Sequence, residues 1–275
     1  MPVLSTNDIR TMKGKEKISM LTAYDYTSAL LFDRAGVDML LVGDSLGMVM
    51  HGRPDTLSVT LDEMILHTRA VVNGAERAMV VTDLPFMTYE RGIDCALKNA
   101  ARLVQESGVR AVKLEGPYYA QVEALTAAGI PVIGHIGLTP QRAAEFGGFR
   151  VQGKTSAAAQ ALLEQGRRLQ DAGCFALVIE CVPAALGEML TTALDIPTIG
   201  IGAGPACDGQ VLVMHDMLGL FDRFVPKFVK RFAELGQEFQ NAAREYSRQV
   251  KEGVFPGPEH IFKMSPEELE KLKQT

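Results

Sequence analysis

One pattern of apolar and polar positions recurs along the chain. A helical stretch closes on a small residue and Gly, a short apolar run follows, and a polar or acidic residue ends it. It appears at 35–45 (AGVDMLLVGDS), 73–85 (NGAERAMVVTDLP), 107–116 (SGVRAVKLEG), 128–137 (AGIPVIGHIG) and 172–182 (AGCFALVIECV). The segment 195–204 (DIPTIGIGAG) continues the series without the leading Gly. The apolar runs are short, continuous and rich in Val, Ile and Leu, as expected of strands buried on both faces of a parallel sheet. Gly36, Gly108, Gly129 and Gly173 stand where a helix ends and a positive φ closes its last turn. Adding 19–25 (SMLTAYD) and a segment near 211–217 brings the total to about eight strands.

The connections predict helices. Thr60 to Glu63 (TLDE) forms a capping box, with Leu61, Met64, Ile65 and Val72 at helical spacing behind it. Pro117 suits a first helical turn and Gly129 ends that helix. Ser156 to Ala172 is rich in good helix formers. A long final helix is expected over about 227–250, then an extended, turn-rich stretch at 253–262. A short exposed helix follows from Ser265, with Pro266 at its first position. Strand and helix alternate throughout, which favours a closed α/β barrel or a doubly wound sheet. No break in composition divides residues 1–275, so a single domain is expected, with an extension from about 264.

Composition narrows the classes. With 275 residues, 47% hydrophobic and 22% charged, the chain is long enough to enclose a site. The net charge of −5 and the lack of a dense basic run disfavour a nucleic-acid partner. An acidic chain that binds an anion needs local positive charge, from a metal or a placed Lys. Cys95, Cys174, Cys181 and Cys207 form no C-x-x-C pair and read as reduced, buried thiols of a cytoplasmic protein. Residues 1–17 lack the apolar core of a signal peptide, and no apolar run is long enough for a membrane span.

Chemistry in α/β barrels sits at the C-terminal ends of the strands. Asp25 closes the first predicted strand, Asp44 and Ser45 the second, Asp83 the third, Lys113 and Glu115 the fourth, His135 the fifth and Glu180 the sixth. Each has a structural alternative. An Asp after a strand is often the cap of the next helix, above all Asp25. Lys113 and Glu115, two apart on a strand, share a face and read either as an internal ion pair or as an anion-binding Lys beside a carboxylate. His135 is a satisfied core histidine or a substrate hydrogen-bonding group. Glu180 follows three large apolar residues, which favours a partly desolvated carboxylate and a general base; the alternative is a salt bridge, for instance to Lys113.

Closing the sheet brings the second and third strands side by side, and two carboxylates there repel unless a divalent cation sits between them. Asp44, Asp83 and Glu115 offer only oxygen, which favours Mg²⁺ or Mn²⁺ over Zn²⁺. GIGAG (200–204) lacks both the dinucleotide and the Walker patterns and reads as tight packing or close approach to a ligand.

Nine segments, TAYDY (22–26), LLVGDSLGM (40–48), DLPFM (83–87), VKLEG (112–116), GHIGLTPQ (134–141), GGFRVQGK (147–154), ECVP (180–183), IGIGAGPACDGQVLVMHDMLG (199–219) and PKFVK (226–230), resemble ketopantoate hydroxymethyltransferases, in family order. The sequence departs only at Pro205-Ala206 and in the tail after about 264. The resemblance implies a (βα)₈ barrel of the phosphoenolpyruvate-mutase/isocitrate-lyase type. It implies transfer of a hydroxymethyl group from 5,10-methylenetetrahydrofolate to 3-methyl-2-oxobutanoate in a cytoplasmic homodecamer built of pentameric rings. Carried over residue by residue, it places the metal at Asp44 and Asp83 with Glu115 near it through water. Substrate contacts fall at Asp44, Ser45, Asp83, Lys113 and His135, and the catalytic base at Glu180. The folate contacts are unplaced, with the loops after His135 and around 147–154 as candidates. A C–C lyase of the isocitrate-lyase type shares the barrel and the metal-assisted enolate chemistry, but needs a cysteine-bearing catalytic loop that has no counterpart here. A metabolite-binding barrel without catalysis is the non-enzymatic alternative.

Overall fold

A computed structural model describes residues 3–142, 150–221 and 225–274. After α1 (Thr6–Met12), strands and helices alternate: β1 (Ile18–Thr22), α2 (Tyr26–Arg34), β2 (Met39–Val42), α3 (Leu46–Val49), α4 (Leu61–Gly74), β3 (Met79–Asp83), α5 (Ile93–Ser107), β4 (Ala111–Glu115), α6 (Tyr119–Ala127), β5 (Val132–Gly137), α7 (Ser156–Asp171), β6 (Ala176–Glu180), α8 (Ala184–Ala193), β7 (Thr198–Ile201) and β8 (Gly209–Leu212). Every strand pairs in parallel with the next, and β8 pairs with β1, which closes the barrel. The closed alternative therefore holds over the doubly wound sheet.

Period-2 alternation divides the strand residues between two cores. Met39, Leu41, Met79, Val81, Ile133, Val178 and Ile199 pack together inside the barrel. Leu40, Val80, Val112, Leu114, Leu177 and Ile179 pack outward with helix residues such as Met64, Leu103, Val122, Leu169 and Leu190. Leu114 faces the helices as its position predicts, so Lys113 and Glu115 face the barrel axis.

The local signals act as chemistry demands. Thr60 and Glu63 form a reciprocal capping box at α4. Gly36, Gly108, Gly129 and Gly173 all have positive φ at helix ends. GIGAG packs closely rather than holding phosphate: a Cβ on Gly187 of α8 would lie 2.1 Å from the carbonyl oxygen of Ala203, and one on Gly202 would lie 2.7 Å from the Phe228 ring.

Several expected boundaries move. The segment near 211–217 is only half strand: β8 ends at Leu212 and α9 (Met214–Met217) follows, its first N–H donating to Thr22 Oγ1 at 2.9 Å. Pro117 precedes α6 instead of entering it. The long C-terminal helix α10 starts at Leu235, not near 227; a turn at Pro226–Val229 precedes it. α11 (Pro266–Lys273) is exposed throughout, with Ser265 capping it. Of the four cysteines only Cys174 and Cys207 are buried; Cys95 and Cys181 are partly exposed, and all four are free thiols. No helix among the described residues is long and apolar enough to cross a membrane.

Candidate active site

The inward faces of β3 to β6 end in charge. Asp83 follows Val81 and Met79 by twos, Lys113 and Glu115 follow Ala111, His135 follows Ile133, and Glu180 follows Val178. Parallel register then sets Asp83 opposite Lys113 and Glu115 opposite His135. Asp44 enters from the loop after β2, and its N–H donates to Asp83 Oδ2 at 3.1 Å. Ser45, next in that loop, bonds the Tyr24 hydroxyl at 2.8 Å. All seven sequence-predicted site residues line one cavity of about 330 Å³. Asp25 does not join them: it caps α2, accepting from the Ser28 N–H at 2.9 Å.

The contacts form one chain of opposite charges. Lys113 Nζ lies 2.8 Å from Asp83 Oδ1 and 3.5 Å from Glu115 Oε1. His135 Nδ1 lies 3.2 Å from Glu115 Oε1, and its Nε2 lies 3.2 Å from Glu180 Oε2. Asp83 Oδ1 and His135 Nε2 are buried and close to these partners, yet neither is aligned for a hydrogen bond. Glu180 does not pair with Lys113. It is also the least enclosed member, with 14% of its side chain exposed against 2–4% for Asp83, Lys113, Glu115 and His135, so it is only partly desolvated.

Burial and mutual repulsion set the protonation states. Burial, then Asp83 and Glu115, push the Asp44 carboxyl well above the ordinary range, with Lys113 and Gln141 offsetting only part. Burial also raises Asp83, against the pull of Lys113. Burial works against the Lys113 charge, but Asp83, Glu115 and Asp44 outweigh it and hold the ammonium above the usual lysine range. Burial and Lys113 oppose protonation of His135, yet Glu115 and Glu180 raise it to about 9, so the ring is an imidazolium at neutral pH. Burial would raise Glu115, but His135 and Lys113 bring it below its usual value. The Cys181 thiol beside Glu180 is raised to about 12 by burial and by Glu180, so it is no thiolate nucleophile.

Three supporting residues escape the strand-end logic. Gln141 donates through Nε2 to Asp44 Oδ2 at 2.8 Å and to the Leu84 carbonyl at 3.0 Å, while its N–H donates to Glu115 Oε2 at 3.1 Å. The Tyr89 hydroxyl donates to Gln141 Oε1 at 2.6 Å. Tyr24 holds Ser45. Their only signal was membership of the quoted motif segments for Tyr24 and Gln141; Tyr89 had none. Of the two candidate folate loops, positions 147–149 lie outside the described residues, and Val151 reaches the cavity wall.

A model of the ketopantoate hydroxymethyltransferase family matches residues 4–258. The chain belongs to that family. A 3-methyl-2-oxobutanoate hydroxymethyltransferase of Nitratidesulfovibrio vulgaris is 62% identical over 261 residues, covering 94% of this chain and 85% of that protein. The enzyme of the same name from Clostridium botulinum is 52% identical, covering 94% and 95%. Among solved structures, a phosphoenolpyruvate phosphomutase from Streptomyces platensis superposes with a TM-score of 0.62 at 14% identity, covering 98% of each chain. A 2,3-dimethylmalate lyase of the PEP mutase/isocitrate lyase superfamily gives 0.58 at 18% identity, covering 97% and 94%. These likenesses confirm the barrel type expected from the family resemblance.

Among the described residues no group of three or more His, Cys, Asp and Glu stands ready to hold an ion. Glu115 is in the cluster, but its oxygens face His135, Lys113 and the Gln141 N–H. Asp83 is engaged as well, by Lys113 at Oδ1 and the Asp44 N–H at Oδ2.

Proposed function

We propose that this chain transfers a hydroxymethyl group from 5,10-methylenetetrahydrofolate to 3-methyl-2-oxobutanoate, giving 2-dehydropantoate. Relatives at 52–62% identity are named for that acceptor and that group. One observation carries the chemistry: four carboxyl groups (Asp44, Asp83, Glu115, Glu180) and two cations (Lys113, His135) meet at one end of one cavity.

With all four carboxyls ionised, two negative charges are unmatched. Burial and this excess raise Asp44 and Asp83, and a divalent cation would neutralise the excess. Asp44 and Asp83 fit it. They are adjacent, buried and oxygen-only, with Lys113 Nζ 2.8 Å from Asp83 Oδ1. They would hold Mg²⁺, with Glu115 behind them reaching it through water. When bound, the ion would draw charge from the keto and carboxylate oxygens of the acid, several kcal/mol of transition-state stabilisation in such sites.

The chain's own residues do the rest. Lys113 supplies a fixed positive charge beside the acid, and Ser45, held by Tyr24, offers it a hydroxyl. His135, as an imidazolium, places Nε2 3.2 Å from Glu180 Oε2 and so holds that carboxyl in position. Glu180 takes the proton from C3; the electron pair of that C–H bond becomes the enolate. C3 then bonds the one-carbon unit of the donor as one of that carbon's two C–N bonds breaks, and water displaces the second folate nitrogen, which leaves with a proton, to give the hydroxyl. The apolar wall of the cavity excludes bulk water from the enolate. The test is product formation from the acid and methylenetetrahydrofolate with Mg²⁺ and with chelator. Release of a C–C cleavage product from an isocitrate-type substrate would instead support the lyase reading, which the family match disfavours.

The reading includes self-assembly in the cytoplasm. α10 buries none of its residues, yet Phe239, Tyr246 and Val250 stand exposed along one face with Ala242 and Ala243 between them. A second copy of this chain covering that stripe accounts for it, in keeping with the decamer implied by the resemblance.

A further inference from the structure

The cavity is larger than its charged end. A volume of about 330 Å³ is in the range that encloses drug-sized ligands, and a small branched 2-oxo acid fills only part of it. The remaining wall includes Met48, Val151, Phe221, Pro226 and Phe228. It is a built surface: the Phe228 ring sits on the backbone of Gly202, where any larger residue would collide with it. A flat, partly apolar ring system matches such a wall.

One carboxylate stands on this wall apart from the charge cluster. Asp216, in α9, lines the cavity, and its side chain makes no hydrogen bond among the described residues. α9 is tied at its start to Thr22 of β1, and the Met217 and Leu218 carbonyls accept from the N–H groups of Phe232 and Leu235. The residue is therefore held in place and half-buried, with no side-chain hydrogen bond among the described residues. Arg231, the cation that acts on it, pairs with Glu234 at 3.1 Å, and Lys227 lines the same cavity.

We propose that Asp216 recognises the pterin of the folate donor, accepting from its ring N3–H and 2-amino group, while the ring lies against Phe228 and Phe221. This rests on the donor assigned above. Those two donors are spaced as a planar fork, and a carboxylate accepts such a fork through both oxygens. Burial raises the Asp216 carboxyl to about 6, with Arg231 offsetting only part of it. The pyrimidine edge would then be fixed at α9 and the one-carbon unit turned toward C3 of the acid.

The test measures tetrahydrofolate binding by calorimetry, with the acid and Mg²⁺ present, for the unaltered protein and Asp216→Asn. Loss of a charge-assisted bidentate contact should weaken binding by about tenfold or more. A folate analogue lacking the 2-amino group should bind the unaltered protein more weakly by a similar factor, and Asp216→Asn should not tell the two apart. That analogue arm needs no variant to fold. The rise in unfolding temperature on adding 3-methyl-2-oxobutanoate should persist in Asp216→Asn; its loss would make the residue structural and overturn the proposal. Equal tetrahydrofolate affinity in both proteins, or indifference of the unaltered protein to the 2-amino group, would overturn the Asp216 assignment alone. An unaltered protein that binds the acid but no tetrahydrofolate would overturn the donor itself.

Discussion

Gln141 spans 97 positions of sequence to donate its side-chain N–H to Asp44 Oδ2 at 2.8 Å. The same residue serves Glu115 through its backbone and receives the Tyr89 hydroxyl, so one buried amide orients two of the acidic groups. Gln141→Leu keeps the backbone contact and removes the amide, leaving Asp44 and the Leu84 carbonyl short of a donor. Loss of such support around metal-binding carboxylates typically costs about 10–100-fold in metal affinity or activity. The Mg²⁺ concentration for half-maximal turnover should rise accordingly; an unchanged Mg²⁺ profile would count against the role.

Glu180→Gln should still bind 3-methyl-2-oxobutanoate, since the charged cluster is otherwise intact. It should lose exchange of the C3 proton with deuterium, by about 10²–10⁴-fold. Exchange followed by NMR at normal rate in the variant would remove Glu180 as the base.

Asp83→Ala removes the one carboxylate that touches both Lys113 and the Asp44 N–H. Calorimetric titration with the acid should show that Mg²⁺ no longer strengthens binding. Retained Mg²⁺ dependence would sink the ligand assignment.

Acid stability has a separate source. The Arg53 guanidinium, hydrogen-bonded to Glu63, holds that carboxyl down at about 2 from an ordinary 4.5. A depressed folded pKa stabilises above the unfolded value and is lost as pH falls through the folded one. The stability difference between the unaltered protein and Glu63→Gln should thus be constant above about pH 5 and shrink between 4.5 and 2. Urea titrations across that range measure it, and a difference that grew toward low pH would contradict the assignment. Because Glu63 is partly exposed, the effect should be modest and should shrink with salt.

Phe239→Asp combined with Tyr246→Asp places charge on the exposed stripe of α10 without touching the barrel core. Sedimentation should show smaller assemblies than for the unaltered protein, with far-UV circular dichroism retained. An unchanged sedimentation coefficient would exclude this face as a subunit contact.

The barrel was legible because its signals are local. Continuous Val/Ile/Leu runs report two-sided burial, Gly at each helix end reports a positive φ, and Thr60 with Glu63 caps α4 through groups three residues apart. The predicted boundaries slipped where a distant partner decides. Residues 214–217 coil into α9, whose start is set by a hydroxyl on β1, and α10 begins late after the Pro226 turn.

The same division holds at the site. Sequence by itself determined which residues end the strands and which side chains share a face, because the period of a strand is two. It therefore placed Asp83, Lys113, Glu115, His135 and Glu180 on one rim, and the motif segments supplied the substrate. Only the tertiary structure decided that Asp25 is a cap, that Glu180 pairs with His135 rather than Lys113, and that Glu115 spends its oxygens on its neighbours. It alone brought Gln141 and Tyr89 behind the acidic groups and Asp216 to the cavity wall. Those facts depend on register between strands and on loops folding over the rim, and contacts set by barrel closure join residues whose separation along the chain carries no periodic signal.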